Sequence, residues 1–100
     1  MNDFRVRVLI SIQSALLGLV TPNLRGVAVA AHEPSIRLRF VFENDPSDDD
    51  RENVSLAETY VIADFEDFVS VEAICGWVPV SKPLRLEAGE EGVYMRKESD

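Results

Sequence analysis

The sequence contains one cysteine, Cys75, and one histidine, His32. A lone cysteine forms no internal disulfide, and Cys75 with His32 supplies too few ligands for a zinc site. There is no GxGxxG, no P-loop and no nucleophile elbow, so the familiar cradles for dinucleotides, phosphates and acyl transfer are missing. The longest mostly apolar stretch, Val8 to Val20, is broken by Gln13 and two serines. It falls short of the about 20 residues that a membrane span requires. Bases are scarce: ten Lys and Arg stand against 18 Asp and Glu, for a net charge of −8 and a pI near 4.5. Such a chain is poorly suited to nucleic acid, whose binding needs cations to displace counterions, and to an anionic membrane surface. It suits a basic protein partner, because complementary fields speed encounter.

What the chain does have is enough apolar matter for a core. Hydrophobic residues make up 46% of its 100 positions, too many for disorder. Area scaling for this mass gives burial of roughly 65% of the unfolded surface, sufficient for one domain over residues 1–100 without disulfide staples. A secretory signal is the reading to test at the N-terminus. Arg5 and Arg7 precede the apolar stretch, and Ala28-Val29-Ala30 resembles a cleavage site. Asp3 in the basic region, the polar interruptions, and the seven residues TPNLRGV before Ala28 all argue against export. A cytoplasmic location is expected, and the single free cysteine is consistent with it.

Periodicity predicts the element order. From Phe4 to Val20, Arg7, Ser11, Ser14 and Gly18 form a polar stripe at helical spacing, opposed by Leu9, Ile12, Leu16 and Val20. Asn2 or Asp3 is suited to cap this helix, and Thr21-Pro22-Asn23 is expected to end it. A strand follows over Leu24–Ala31, then a turn at His32-Glu33-Pro34-Ser35. In Ile36–Phe42, the residues Ile36, Leu38, Phe40 and Phe42 alternate with Arg37, Arg39 and Val41, the pattern of a half-buried antiparallel strand. Ser47 and Asp50 are spaced as a capping box that opens a second helix. Val54, Ala57, Val61, Phe65 and Phe68 recur along it, so it should end near Phe68. A third strand is predicted over Val69–Trp77, with Trp77 and Cys75 in the core, and a short fourth over Val93–Lys97. The α-β-β-α-β-β order implies an α+β fold: a four-stranded, mainly antiparallel sheet with both helices on one face. The other face, bearing Arg37 and Arg39, is expected to be open to solvent or a partner.

The charge is unevenly placed. Residues 43–72 hold eleven acids and one base, a net of −10, whereas residues 1–42 carry +3 and residues 73–100 carry −1. The densest run is ENDPSDDDREN, residues 43–53, with Glu43, Asp45, Asp48, Asp49, Asp50 and Glu52. One or two carboxylates at a helix start favour the positive end of its dipole, each by about 0.3–1 kcal/mol. Further acids repel one another, so the run exceeds what the helix requires. The EF-hand reading fails on spacing, because counting from Asp45 puts Asp50 at position 6 and Leu56 at position 12, where Gly and Glu are needed. The six acids are therefore candidates for partner binding, with no metal and no cofactor expected. The pairs Asp64/Asp67 and Glu90/Glu91 lie on polar stretches that leave carboxylates near their reference pKa, unsuited to catalysis at neutral pH. No enzyme is expected.

Three stretches, ALLGLVTPNLRGVAV (15–29), TYVIADFEDF (59–68) and VYMRKE (93–98), together with the hairpin, resemble a group of small acidic bacterial proteins of similar length. Some of that group resemble immunity proteins of polymorphic or contact-dependent growth-inhibition toxin systems. The resemblance implies a non-catalytic protein that binds a cognate toxin domain. A basic, nuclease-type toxin would suit the acidic run, which can mimic a phosphate backbone. The rival reading is an adaptor, or a homodimer formed through the open sheet face or an edge strand.

Overall fold

Alternation in the hairpin sets the layers of the computed structural model, which describes residues 3–98. Strands β1 (Leu24–His32) and β2 (Ser35–Phe42) pair antiparallel, with Val27 opposite Phe40 and Val29 opposite Leu38. A two-residue link, Glu33-Pro34, joins them, and its peptide bond is cis. Helix α2 (Asp48–Ala63) then carries the chain back, so β3 (Ser70–Trp77) lies parallel to β2. Parallel neighbours need such a crossover, whereas a hairpin supplies only antiparallel ones. The last strand, β4 (Glu91–Met95), pairs antiparallel with β1, giving the order β3-β2-β1-β4. With α1 (Asp3–Ala15) the element order is α-β-β-α-β-β, and the mixed sheet is mainly antiparallel.

Both helices pack on one face. Phe4, Val8, Ile12 and Ala15 of α1 and Val54, Ala57 and Val61 of α2 join Val27, Val29, Ile36, Leu38, Phe40 and Phe42 in a single buried cluster. Val8, Ile12, Leu38, Ala57 and Val61 are wholly inaccessible. Burying each of the four larger side chains, Val8, Ile12, Leu38 and Val61, stabilises the fold by about 1.5–3 kcal/mol, so these positions hold the two layers together.

Several boundaries and placements differ from the sequence expectation. Helix α1 stops at Ala15, ahead of Val20, because the chain turns through Leu16–Leu19 and Gly18 adopts φ +82°, a conformation other residues resist. Ser11 of the polar stripe is buried, and Val20 of the apolar stripe is exposed. The stripe is rotated toward α2, where Ser11 Oγ donates to Asp64 Oδ2 at 2.6 Å. Helix α2 ends at Ala63, short of Phe68. Phe65 then packs edge-on against Phe4 at 5.7 Å between ring centres, while Phe68 is left exposed. The fourth strand begins two residues earlier than expected and ends at Met95. Trp77 is 53% exposed and so lies outside the core, whereas Cys75 is half-buried against it. His32 is exposed at the hairpin turn. Asn2, one of the two expected caps of α1, lies outside the described residues.

The sheet face opposite the helices is largely covered, contrary to expectation. The segment between β3 and β4 folds across it. Arg25 is 3% exposed, and its guanidinium donates to the carbonyls of Val78, Pro79 and Lys82 and to both carboxylate oxygens of Glu98. Arg39 is bound in the same way by Glu90, at 2.7 and 2.8 Å, and by the Arg85 carbonyl at 3.0 Å. A Cβ built on Gly26 would stand 2.8 Å from Leu84, which shows how closely the segment lies on β1. Of the two arginines expected on an open face, only Arg37 remains exposed, beside Glu72.

Candidate functional site

The acidic run is built around the start of α2. Ser47, extended at φ −70° and ψ 171°, accepts the Asp50 N–H on its hydroxyl at 3.0 Å. The Asp50 carboxylate accepts the Ser47 N–H at 3.1 Å, completing the capping box. Two residues from the loop before β1 add to it. Thr21 Oγ1 donates to Asp50 at 2.9 Å and Asn23 Nδ2 at 3.0 Å. Burial alone would raise the Asp50 pKa, but the hydrogen bonds from Asn23, Ser47 and Thr21 outweigh it and hold the carboxyl below its usual range.

Asn23 also fixes the loop that carries the first acids. Its Oδ1 accepts the Asn44 N–H at 3.0 Å, and the Glu43 N–H donates to its carbonyl at 2.8 Å. The acidic loop is thus tied by backbone and side-chain bonds to residues 21–23, which favours a preformed surface.

The six candidate acids divide into three kinds. Asp50 is only 5% exposed and faces inward, committed to the helix start. Glu43 is half-buried and pairs with Arg96 at 2.9 Å. Asp45, Asp48, Asp49 and Glu52 are exposed. Asp45 pairs with Arg51 at 3.1 Å, a solvated contact worth little. Among the described residues Asp48, Asp49 and Glu52 form no ion pair. Asp45, Asp49, Glu43, Thr21, Pro22 and Asn23 border a wide, shallow depression of about 600 Å³. Among the described residues no group of three or more His, Cys, Asp or Glu is arranged to hold a metal ion. No helix among them is long and apolar enough to cross a membrane.

Several carboxylates elsewhere are matched by arginines. Glu66 bonds Arg7, Glu91 bonds Arg5, Glu90 bonds Arg39, and Glu98 bonds Arg25 and Arg96. Each of these carboxyls is held below the usual range first by its arginine hydrogen bond, Glu98 to about 2. They are structural ties; among the described residues exposed Glu33, Asp67 and Glu87 also form no ion pair, and the start of α2 differs in holding three such carboxylates, Asp48, Asp49 and Glu52, within five positions. Thr21 and Asn23 escaped the sequence reading because they sit 29 and 27 positions from Asp50. Nothing local marks them as its partners.

Residues 5–98 match a family model described as MafI2 immunity protein. No curated protein matches the chain.

Proposed function

The chain belongs to the MafI2 immunity protein family; on that premise we propose that it binds a cognate toxin domain and blocks it without catalysis of its own. The contact surface is the start of α2 and the loop before it, with Asp45, Asp48, Asp49 and Glu52 facing the toxin, Glu43 at the margin, and Asp50 holding the surface in shape. The toxin presents a basic cleft of the kind a nuclease uses for its substrate, and the exposed carboxylates stand in for phosphates there. Cytoplasmic action follows if the toxin acts inside the cell.

One observation carries this reading. Residues 43–72 hold more than the whole net negative charge of the chain, and three exposed carboxylates lie within five positions at the start of α2, Asp48, Asp49 and Glu52, with no ion pair among the described residues. Unmatched charge of one sign repels itself within the fold, so its retention is explained best by a partner that neutralises it.

Co-expression tests the proposal. Cells carrying the cognate toxin domain should grow when this chain is supplied. Growth should weaken when Asp45, Asp48, Asp49 and Glu52 are changed together to Asn or Gln, with Asp50 retained so that the helix start survives. Failure of the intact chain to restore growth would overturn the function. Full rescue by the fourfold variant would overturn the surface.

A further inference from the structure

Helices α1 and α2 run antiparallel and leave a groove between them on the outside of the molecule. Contacts follow one another along its length. Arg7 meets Glu66 and Phe65, Ser11 meets Asp64, and Asn53 Nδ2 donates to the Leu19 carbonyl. The middle of the groove is lined by small residues, Ser11, Ser14, Ala15 and Ala63, with Tyr60 beside them. Ile10 and Phe65 border its continuation toward Arg7. The two hollows share Ser11, Ser14 and Asp64 and have volumes of about 320 and 260 Å³.

The groove has an apolar rim and two unlike ends. Ile10 is 60% exposed, Tyr60 48% and Leu56 37%, and Leu17 in the turn after α1 is 80% exposed. One end is closed by the Arg7–Glu66 ion pair, with the Arg7 guanidinium 4.7 Å above the Phe65 ring. Toward the other end lies the acidic start of α2. On α2 the residues Asp49, Glu52, Leu56, Tyr60 and Ala63 follow at steps of 3, 4, 4 and 3, which puts them on one side of the helix. At 1.5 Å per residue this stripe is about 21 Å long, the length of roughly four helical turns.

We infer that this groove receives an amphipathic helix of the toxin domain, its apolar side against Ile10, Leu56 and Tyr60 and its basic residues over Asp49 and Glu52. The inference rests on the proposed function and adds the anchor that charge alone does not provide. Small residues on the floor let a helix approach closely, and helix-in-groove docking is read by apolar anchors at 3- and 4-residue spacing. Charge complementarity at one end fixes the direction in which the incoming helix lies. The α2 stripe runs from Ala63 and Tyr60 in the groove to Asp49 and Glu52 of the acidic surface, so one partner helix along it reaches both. A second copy of this chain fits less well, since it would bring another −8 of charge to the same place.

The test separates the anchor from the charge. Two groove variants are compared with the fourfold acid variant for binding to the purified, catalytically inactivated toxin domain. In one, Ile10→Ser and Tyr60→Ser remove the rim. In the other, Ser14→Trp fills the floor from an exposed position. The groove variants should weaken binding at least tenfold through faster dissociation, with the salt dependence of association unchanged. The acid variant should instead slow association. Wild-type dissociation rates in both groove variants would overturn the groove and leave the proposed function standing. A change from dimer to monomer in sedimentation, with toxin binding intact, would also overturn it and assign the groove to a second copy. No binding by the unaltered chain would overturn the proposed function and the groove together.

Discussion

Replacing Asp50 with alanine separates the structural from the surplus charge of the acidic run. The substitution removes three acceptor contacts, from Ser47 N–H at 3.1 Å, Asn23 at 3.0 Å and Thr21 at 2.9 Å. Loss of a helix-start cap costs about 0.5–2 kcal/mol. Donors left without a partner in a part-buried place add about 1–3 kcal/mol. Thr21 and Asn23 are half-buried, so water recovers some of this. A net loss of about 2–4 kcal/mol is expected, or roughly 10–20 °C in Tm at this chain length. Asp50→Asn keeps one acceptor oxygen and should fall between. Asp49→Asn, one position away and exposed, should stay within about 0.5 kcal/mol of the parent. Urea unfolding followed by far-UV circular dichroism measures all three. Equal stabilities of Asp50→Ala and Asp49→Asn would refute the division of the run into a buried cap and an exposed surplus.

Arg25→Met should destabilise the chain by about 2–4 kcal/mol, because a buried guanidinium leaves three carbonyls and Glu98 without their donor. Amide exchange should rise first in residues 78–82, and unchanged protection there would count against the strap. Ser11→Ala should cost about 0.5–1.5 kcal/mol for the lost bond to Asp64, measured by chemical unfolding; a gain in stability would contradict the role given to that contact. The Glu98 carboxyl is depressed from 4.5 to about 2 by its hydrogen bond to Arg25, so its contribution is complete above pH 4.5 and is lost as the pH falls toward 2. Thermal melts of the parent and of Glu98→Gln should therefore converge on acidification over that window. A gap that stays constant down to pH 2 would show that the carboxylate's charge is not what stabilises the tail.

Much of the fold was legible locally. The alternation Ile36, Leu38, Phe40, Phe42 identifies β2 and its buried side without reference to any other segment, and Ser47 with Asp50 marks the start of α2. The family resemblance was carried by three stretches spread along the chain, and the match over residues 5–98 agrees with it. What escaped were choices settled by distant partners. Ser11 looks like a solvent-facing residue until Asp64, 53 positions away, turns it inward. Arg39 looks like the outer face of a hairpin until a segment with no periodicity of its own brings the Arg85 carbonyl and Glu90 to it, and that segment with Glu98 also encloses Arg25. The same limit applies to the candidate surface. Composition located the charge but could not show that Asp50 is buried, or that Ile10 and Tyr60 border a groove leading to Asp49 and Glu52.

Exposed carboxylates at the start of α2 are proposed to guide a basic toxin domain onto this chain. Stopped-flow association of the toxin domain with the parent and with the Asp45, Asp48, Asp49 and Glu52 fourfold variant, from low to physiological salt, tests it most directly. Electrostatic steering raises association from about 10⁵–10⁶ toward 10⁸–10⁹ M⁻¹s⁻¹ at low salt. The association rate of the parent should fall steeply with salt, and the variant should be at least tenfold slower at low salt with a much flatter dependence. Superimposable rates across the salt range, with both proteins folded, would contradict it.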